Sequence, residues 1–343
     1  MKDHMCPERV PNKAIGATLF ALARLEMNES ASSADPFVSM ATAVNNQDML
    51  KQFYQGFYNQ RAAMDVYMMD ESSALLYIRI FKCGNNFIGG WLRKAAKTFS
   101  NDNHNYTTKF PTRKVSALQF HDIASNWSRP PCVVTAIRDP VNHFLSAYNE
   151  MEWRVWVGND HPQSANPPDY LSLPYTTRQD REKRFTQFVA DVLMLRWAHF
   201  KGLDPVHIAS MSRVLSAMKD ELNLTFTAVL PSIQGLSTTW PEFVQNTCPH
   251  FPKINGQVVR ENNSMGQHDS SQDPVGFYEA AKSVWKKRGS VAKTLCILHA
   301  MDYACWDNLP DGIPSLCQSV YETDEFANAI FRNDIEKHED PTD

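Results

Sequence analysis

The spacing of apolar residues changes period once within Leu75 to Lys97, and the rest of the chain is arranged around that change. Leu75, Leu76, Tyr77, Ile78 and Ile80 make an apolar run of strand length. The run breaks at Lys82-Cys83-Gly84-Asn85-Asn86. Apolar residues resume at Phe87, Ile88, Trp91, Leu92 and Ala95, which share one face of a helix. Arg93, Lys94 and Lys97 gather toward the far end of that helix, where its dipole favours cations.

Similar patterns place the other elements. Met49 to Met64 carries Leu50, Phe53, Phe57 and Tyr58 at near-helical spacing and predicts a flank packed on the core. Ser100 to Arg113 is polar and reads as a loop, and Lys114 to Phe120 alternates as a short strand does, running into His121-Asp122. Cys132 to Ile137 is a nearly continuous β run, of the kind buried on both faces of a parallel sheet. It stops at Arg138-Asp139-Pro140, where Asp139 suits an N-cap and Pro140 a first helical position. Val141, Phe144, Leu145, Tyr148 and Met151 give that helix its inner face. Val155 to Thr176 reads as a long loop of the sort that covers a site, and Arg178 to Phe200 as a second strong helix. Thr225 to Leu230 predicts another strand, Trp240 to Val244 a helix start, and Val275 to Tyr303 a mainly helical region.

Strand, helix, strand, helix with short connections predicts an α/β fold: a three-layer sandwich around a central parallel sheet. The expected organisation is a flanking segment over residues 1–70, one domain over 71–333, and an acidic, disordered tail over 334–343.

Composition narrows the function classes. A net charge of −4 argues against a nucleic-acid binder, and no segment reaches the ~18 apolar residues of a membrane span. The seven cysteines show neither a disulfide framework nor a zinc spacing. Cys305 and Cys317 could pair in an oxidising compartment, but free buried thiols are the expectation. Sequons at Asn28, Asn105, Asn126, Asn223 and Asn262 are weak evidence for secretion.

A strand, a tight glycine-containing turn and a helix can form an anion cradle, because the first helical N–H groups have no partner inside the helix. Gly84 lets the main chain approach a ligand, Asn85 and Asn86 add side-chain donors, and Lys82 adds a mobile positive charge. The plainer alternative is an ordinary βα turn with a solvated lysine. Lys82, His121 and Arg138 each follow a predicted strand, at the sheet end where α/β proteins bind ligands.

Two of these segments resemble the motifs of sulfotransferases that use 3′-phosphoadenylyl sulfate (PAPS), of the membrane-type, carbohydrate-modifying class. Phe81-Lys82-Cys83-Gly84-Asn85-Asn86-Phe87 resembles the family's loop for the 5′-phosphosulfate. Ala136 to Tyr148 resembles its 3′-phosphate motif: an apolar strand, Arg138-Asp139-Pro140, and Leu145-Ser146-Ala147-Tyr148 on the helix. The resemblance covers about Leu75 to Met151. It implies a P-loop-NTPase-like sulfotransferase fold, PAPS as co-substrate without a metal, and a hydroxyl or amino group of a carbohydrate as acceptor. By the same resemblance Lys82, Cys83, Gly84, Asn85, Asn86, Phe87, Arg138 and Ser146 would hold the donor; Arg260, outside the resembling stretch, is a further candidate to reach it from its loop. Asn85 and Asn86 stand where the family has hydroxyl residues, and an amide can donate the same hydrogen bond.

Chemistry then assigns roles. Lys82 would neutralise the leaving 5′-phosphate and its bridging oxygen, while Arg138 would fork onto the 3′-phosphate beside the Ser146 hydroxyl. His121 is the expected base for the acceptor's proton, with Asp122, Glu150 and Glu152 as rivals. His104 and His143 read as solvated or packed. Lys286-Lys287-Arg288-Gly289 is similar to a nucleotide-gripping Arg-Lys-Gly of soluble sulfotransferases but reads better as a solvated helix end.

Two other functions compete: a P-loop-like nucleotide phosphotransferase and a non-catalytic module that binds the desulfated nucleotide (PAP) or a glycan. A Walker A motif needs the lysine after the glycines, and no G-x-x-x-x-G-K-[ST] occurs in the chain. Family members are anchored in the Golgi by one N-terminal helix. The expected compartment is therefore the Golgi lumen if an anchor is missing from this chain, and the cytoplasm otherwise.

Overall fold

The computed structural model describes residues 64–68, 74–102, 113–115, 130–156, 168–193, 207–208, 210–212, 214–215, 225–251, 273, 275–306 and 309–322. Its strands are β1 (Met64–Met68), β2 (Ala74–Ile78), β3 (Arg113–Val115), β4 (Cys132–Ala136) and β5 (Ala228–Leu230). The helices are α1 (Asn85–Asp102), α2 (Pro140–Trp156), α3 (Arg178–Leu193), α4 (Leu236–Thr247), α5 (Phe277–Lys286), α6 (Ser290–Leu298), α7 (Ala300–Cys305) and α8 (Ser315–Tyr321). A one-turn 3-10 helix spans Asp169–Ser172. These residues fall into two compact units.

One unit draws on Lys51–Arg138 and Val214–Gln267 and holds the whole described sheet, in the order β3-β1-β2-β4-β5. β2, β4 and β5 are parallel, as expected of an α/β arrangement. The sheet as a whole is mixed, which corrects the expectation of a parallel one: β1 pairs antiparallel with β2, and β3 antiparallel with β1. Met68 and Ala74 are too close in sequence for the crossover a parallel pair requires, so β1 has to reverse. β3 consequently runs in the same direction as β2 but lies beyond β1, at the sheet edge.

Alternation along the strands sets the core of this unit. Leu75 and Tyr77 of β2, Val134 and Ala136 of β4 and Leu230 of β5 pack with Ile88, Trp91, Leu92 and Ala95 of α1 and with Trp240 and Val244 of α4. Trp91 stacks on Phe251 at 5.9 Å, and Tyr77 meets Trp240 edge-on at 5.4 Å. Side chains reinforce the ladder, with the Thr135 hydroxyl donating to the Ile78 carbonyl at 2.8 Å. A disulfide joins Cys132, at the start of β4, to Cys248, just past α4. α1 runs to Asp102, so Arg93, Lys94 and Lys97 lie along its middle and not in the last turn where a dipole would reward them.

The other unit draws its described residues from Asp139–Arg213 and His268–Asp343 and is helical. α2 starts as its sequence predicts: Asp139 Oδ1 accepts from the Asn142 N–H at 2.7 Å, and Pro140 is the first helical residue. Phe144 and Tyr148 of α2 pack on Phe185 and Phe188 of α3. The Arg184 guanidinium forks onto Glu152 at 2.6 and 2.9 Å, and its Nη1 donates to the carbonyls of Tyr170, Leu171 and Leu173. That bond set fastens the 3-10 helix inside the predicted Val155–Thr176 loop. Cys296 of α6 pairs with Cys317 of α8, and Cys305 is also disulfide-bonded. The expectation of free thiols is therefore corrected for these residues, and Cys317 takes Cys296, not Cys305, as its partner. Spacing in sequence could not show which cysteines the helices bring face to face.

Candidate anion-binding turn

The site is built on the connection from β2 to α1. The Cys83 N–H bonds back to the Ile80 carbonyl at 3.2 Å, closing a turn over Phe81 and Lys82. Lys82 sits at φ 61°, a left-handed conformation that a residue with a β-carbon adopts only under constraint. Gly84 follows at φ 77° and accepts the Ile88 N–H at 3.0 Å, so it closes the first turn of α1. The N–H groups of Asn85, Asn86 and Phe87 are thereby placed at the open end of the helix, the arrangement that attracts anions.

Each side chain of the turn has a distinct setting. Cys83 is buried and is, among the described residues, the cysteine outside a disulfide. Lys82 and Asn85 are half-buried, Asn86 is exposed, and Phe87 packs against the core. The Tyr77 hydroxyl, eight positions upstream on β2, donates to Asn85 Oδ1 at 2.6 Å. A β-carbon added to Gly84 would lie 2.4 Å from Leu236 Cδ1 of α4. The positive φ favours glycine here, and a side chain at this position would also displace Leu236.

Arg138 comes to the same turn from the neighbouring strand. β2 and β4 are paired in parallel with Tyr77 opposite Val134, so Lys82 and Arg138 both lie just past adjacent carboxyl ends. The Arg138 Nη1 donates to the Lys82 carbonyl at 3.2 Å, and both side chains are half-buried. Two cationic residues thus meet past the carboxyl ends of adjacent strands, together with the start of α1.

The remaining expected residues are placed differently. Ser146 lies on α2 in the helical unit and is buried. His121, Asp122, Arg260 and His104 lie outside the described residues. β3 is described as Arg113–Val115 and is separated from β2 by β1. Two rival bases are committed to ion pairs: Glu150 with Arg154, and buried Glu152 with Arg184. Burial raises the Glu152 carboxyl from its ordinary value, although Arg184 opposes that rise. His143 is buried on α2, while Lys286, Lys287 and Arg288 are exposed and Lys287 pairs with Glu182.

By sequence Tyr77 is only a strand residue, and Leu236 carries no expectation. The first had a usable signal, since a tyrosine inside a buried strand needs a partner for its hydroxyl. The second had none, because Leu236 reaches Gly84 only through the packing of α4. Among the described residues, no helix is long and apolar enough to cross a membrane, and no three His, Cys, Asp or Glu side chains converge as metal ligands. No family model, curated protein or solved structure matches the chain.

Proposed function

We propose that the chain is a PAPS-dependent sulfotransferase with a P-loop-like core, acting on a hydroxyl or amino group of a carbohydrate acceptor. The observation that carries this reading is the hydrogen bond from Arg138 to the Lys82 carbonyl, which ties the two motif-bearing turns together. PAPS presents a phosphosulfate at one end and a 3′-phosphate at the other. The donor set suits both: Lys82 and the start of α1 for the first, and the Arg138 guanidinium for the second.

In the reaction the acceptor oxygen or nitrogen attacks sulfur in line, its new bond to sulfur forming as the bond from sulfur to the phosphate oxygen breaks. The leaving group is adenosine 3′,5′-bisphosphate, whose new charge Lys82 stabilises. The acceptor's proton passes to a base, for which His121 remains our assignment. The disulfides support maturation in an oxidising compartment such as the Golgi lumen.

Calorimetry with adenosine 3′,5′-bisphosphate against ATP plus magnesium tests the donor site, and transfer of labelled sulfate from PAPS to a panel of glycans tests the reaction. Preference for the bisphosphate together with transfer supports the reading. Equal or better binding of ATP would favour a phosphotransferase. Bisphosphate binding without transfer to any acceptor would favour an inert module.

A further inference from the structure

We propose that Tyr77 is a positioning residue for the 5′-phosphate end of the nucleotide, acting through the side-chain amide of Asn85; the inference rests on the sulfotransferase reading. Tyr77 is fully buried in β2, with its ring held edge-on against Trp240 at 5.4 Å. Its hydroxyl donates to Asn85 Oδ1 at 2.6 Å. Asn85 is the first residue of α1, beside the helix N–H groups that face an anion.

An amide has two unlike ends. A serine or threonine hydroxyl can rotate to donate to a phosphate without help, whereas an asparagine can equally present its carbonyl oxygen, which an anion repels. Committing Oδ1 to Tyr77 removes that choice and leaves Nδ2 as the end available to a phosphate. The departure from the family's hydroxyl residues is thus matched by a second residue that makes the amide act as a donor. A buried phenol beneath the turn has this consequence whether or not the ring also contributes to packing.

Calorimetry on the full chain can separate the two functions, using adenosine 3′,5′-bisphosphate and adenosine 3′-phosphate as probes. Tyr77→Phe keeps the ring and removes the hydroxyl. It should weaken the bisphosphate about tenfold, as loss of one hydrogen bond to a charged group does, and leave the 3′-phosphate unchanged. In an Asn85→Ser background the same substitution should cost nothing further, because no amide remains to be oriented. The inference is overturned if Tyr77→Phe binds the bisphosphate as the wild type does. It is also overturned by equal weakening of both nucleotides, or by an undiminished cost in the Asn85→Ser background. Should Tyr77→Phe fail to fold, Asn85→Asp replaces the donor end by an acceptor and must weaken the bisphosphate selectively; an unselective loss overturns the proposal. If the wild type binds neither nucleotide, the sulfotransferase reading falls first and takes this inference with it.

Discussion

The Arg138 guanidinium is fastened to the backbone of Lys82, with Nη1 donating to the carbonyl oxygen at 3.2 Å. The bond spans 56 positions and links the segments that leave two adjacent parallel strands. It uses one of the five N–H donors of a guanidinium, and it fixes the side chain of β4's exit relative to the main chain of β2's exit.

The two cations should fail differently when removed. Lys82→Ala is expected to lower turnover by about 100- to 1,000-fold, with a much smaller change in bisphosphate affinity, because a contact to the leaving oxygen strengthens as charge develops. Equal losses in both would restrict Lys82 to binding. Arg138→Ala should weaken 3′-phosphorylated nucleotides selectively, and Arg138→Lys should not restore them, since an ammonium lacks the fork. Comparable weakening of ATP would remove the role assigned to Arg138.

Gly84→Ala should destabilise the sheet-bearing unit by about 2–4 kcal/mol, combining left-handed backbone strain with overpacking. The added β-carbon meets Leu236 Cδ1 at 2.4 Å, so shortening that side chain relieves part of the cost. The double variant Gly84→Ala/Leu236→Ala should therefore lose less than the sum of the single losses in urea denaturation. Strict additivity would leave backbone strain as the whole effect.

Acid should find the helical unit through Asp302. Burial pushes this carboxyl up, but the His299 ring, the Ser212 N–H and the Ser210 hydroxyl outweigh burial and hold it below its ordinary value of 3.8. With the folded value depressed, the unfolded state binds the proton more readily. The associated stability is fully present above the unfolded value and is lost as pH falls through the folded one. Asp302→Asn should be less stable near neutrality and should show a flatter decline below about pH 4. Parallel declines for variant and wild type in denaturation at several pH values would contradict this.

The disulfides should rank by the chain they close. Cys132–Cys248 spans 116 residues and Cys296–Cys317 spans 21, so loss of the first should cost about 4–5 kcal/mol and loss of the second about 3. Paired Cys→Ala variants compared by urea denaturation give the order. Mass mapping of the unreduced protein checks the pairings themselves, and free thiols at Cys132 or Cys248 would refute them.

Much of the turn between β2 and α1 is legible in the sequence. The break at Lys82 to Asn86 ends a strand and opens a helix, and Asp139-Pro140 begins α2 as capping chemistry demands. The mixed sheet was less legible. β1 and β3 are short, and a few residues cannot report whether they run with or against their neighbours until the connection lengths are known. The end of α1 is less legible too: the polar residues from Ser100 read as loop, yet the helix continues to Asp102.

By itself the sequence determined what is local: the strand–turn–helix at Leu75 to Ala95, the N-cap at Asp139, and two clusters of residues with the chemistry to hold anions. These follow from periodicities and caps that act within one or two turns. Only the tertiary structure decided that Arg138 meets the Lys82 carbonyl, that Leu236 closes over Gly84, and that Cys132 finds Cys248. Each of those contacts joins residues far apart in the chain. Strand pairing and helix packing create them, and no local window of sequence encodes either.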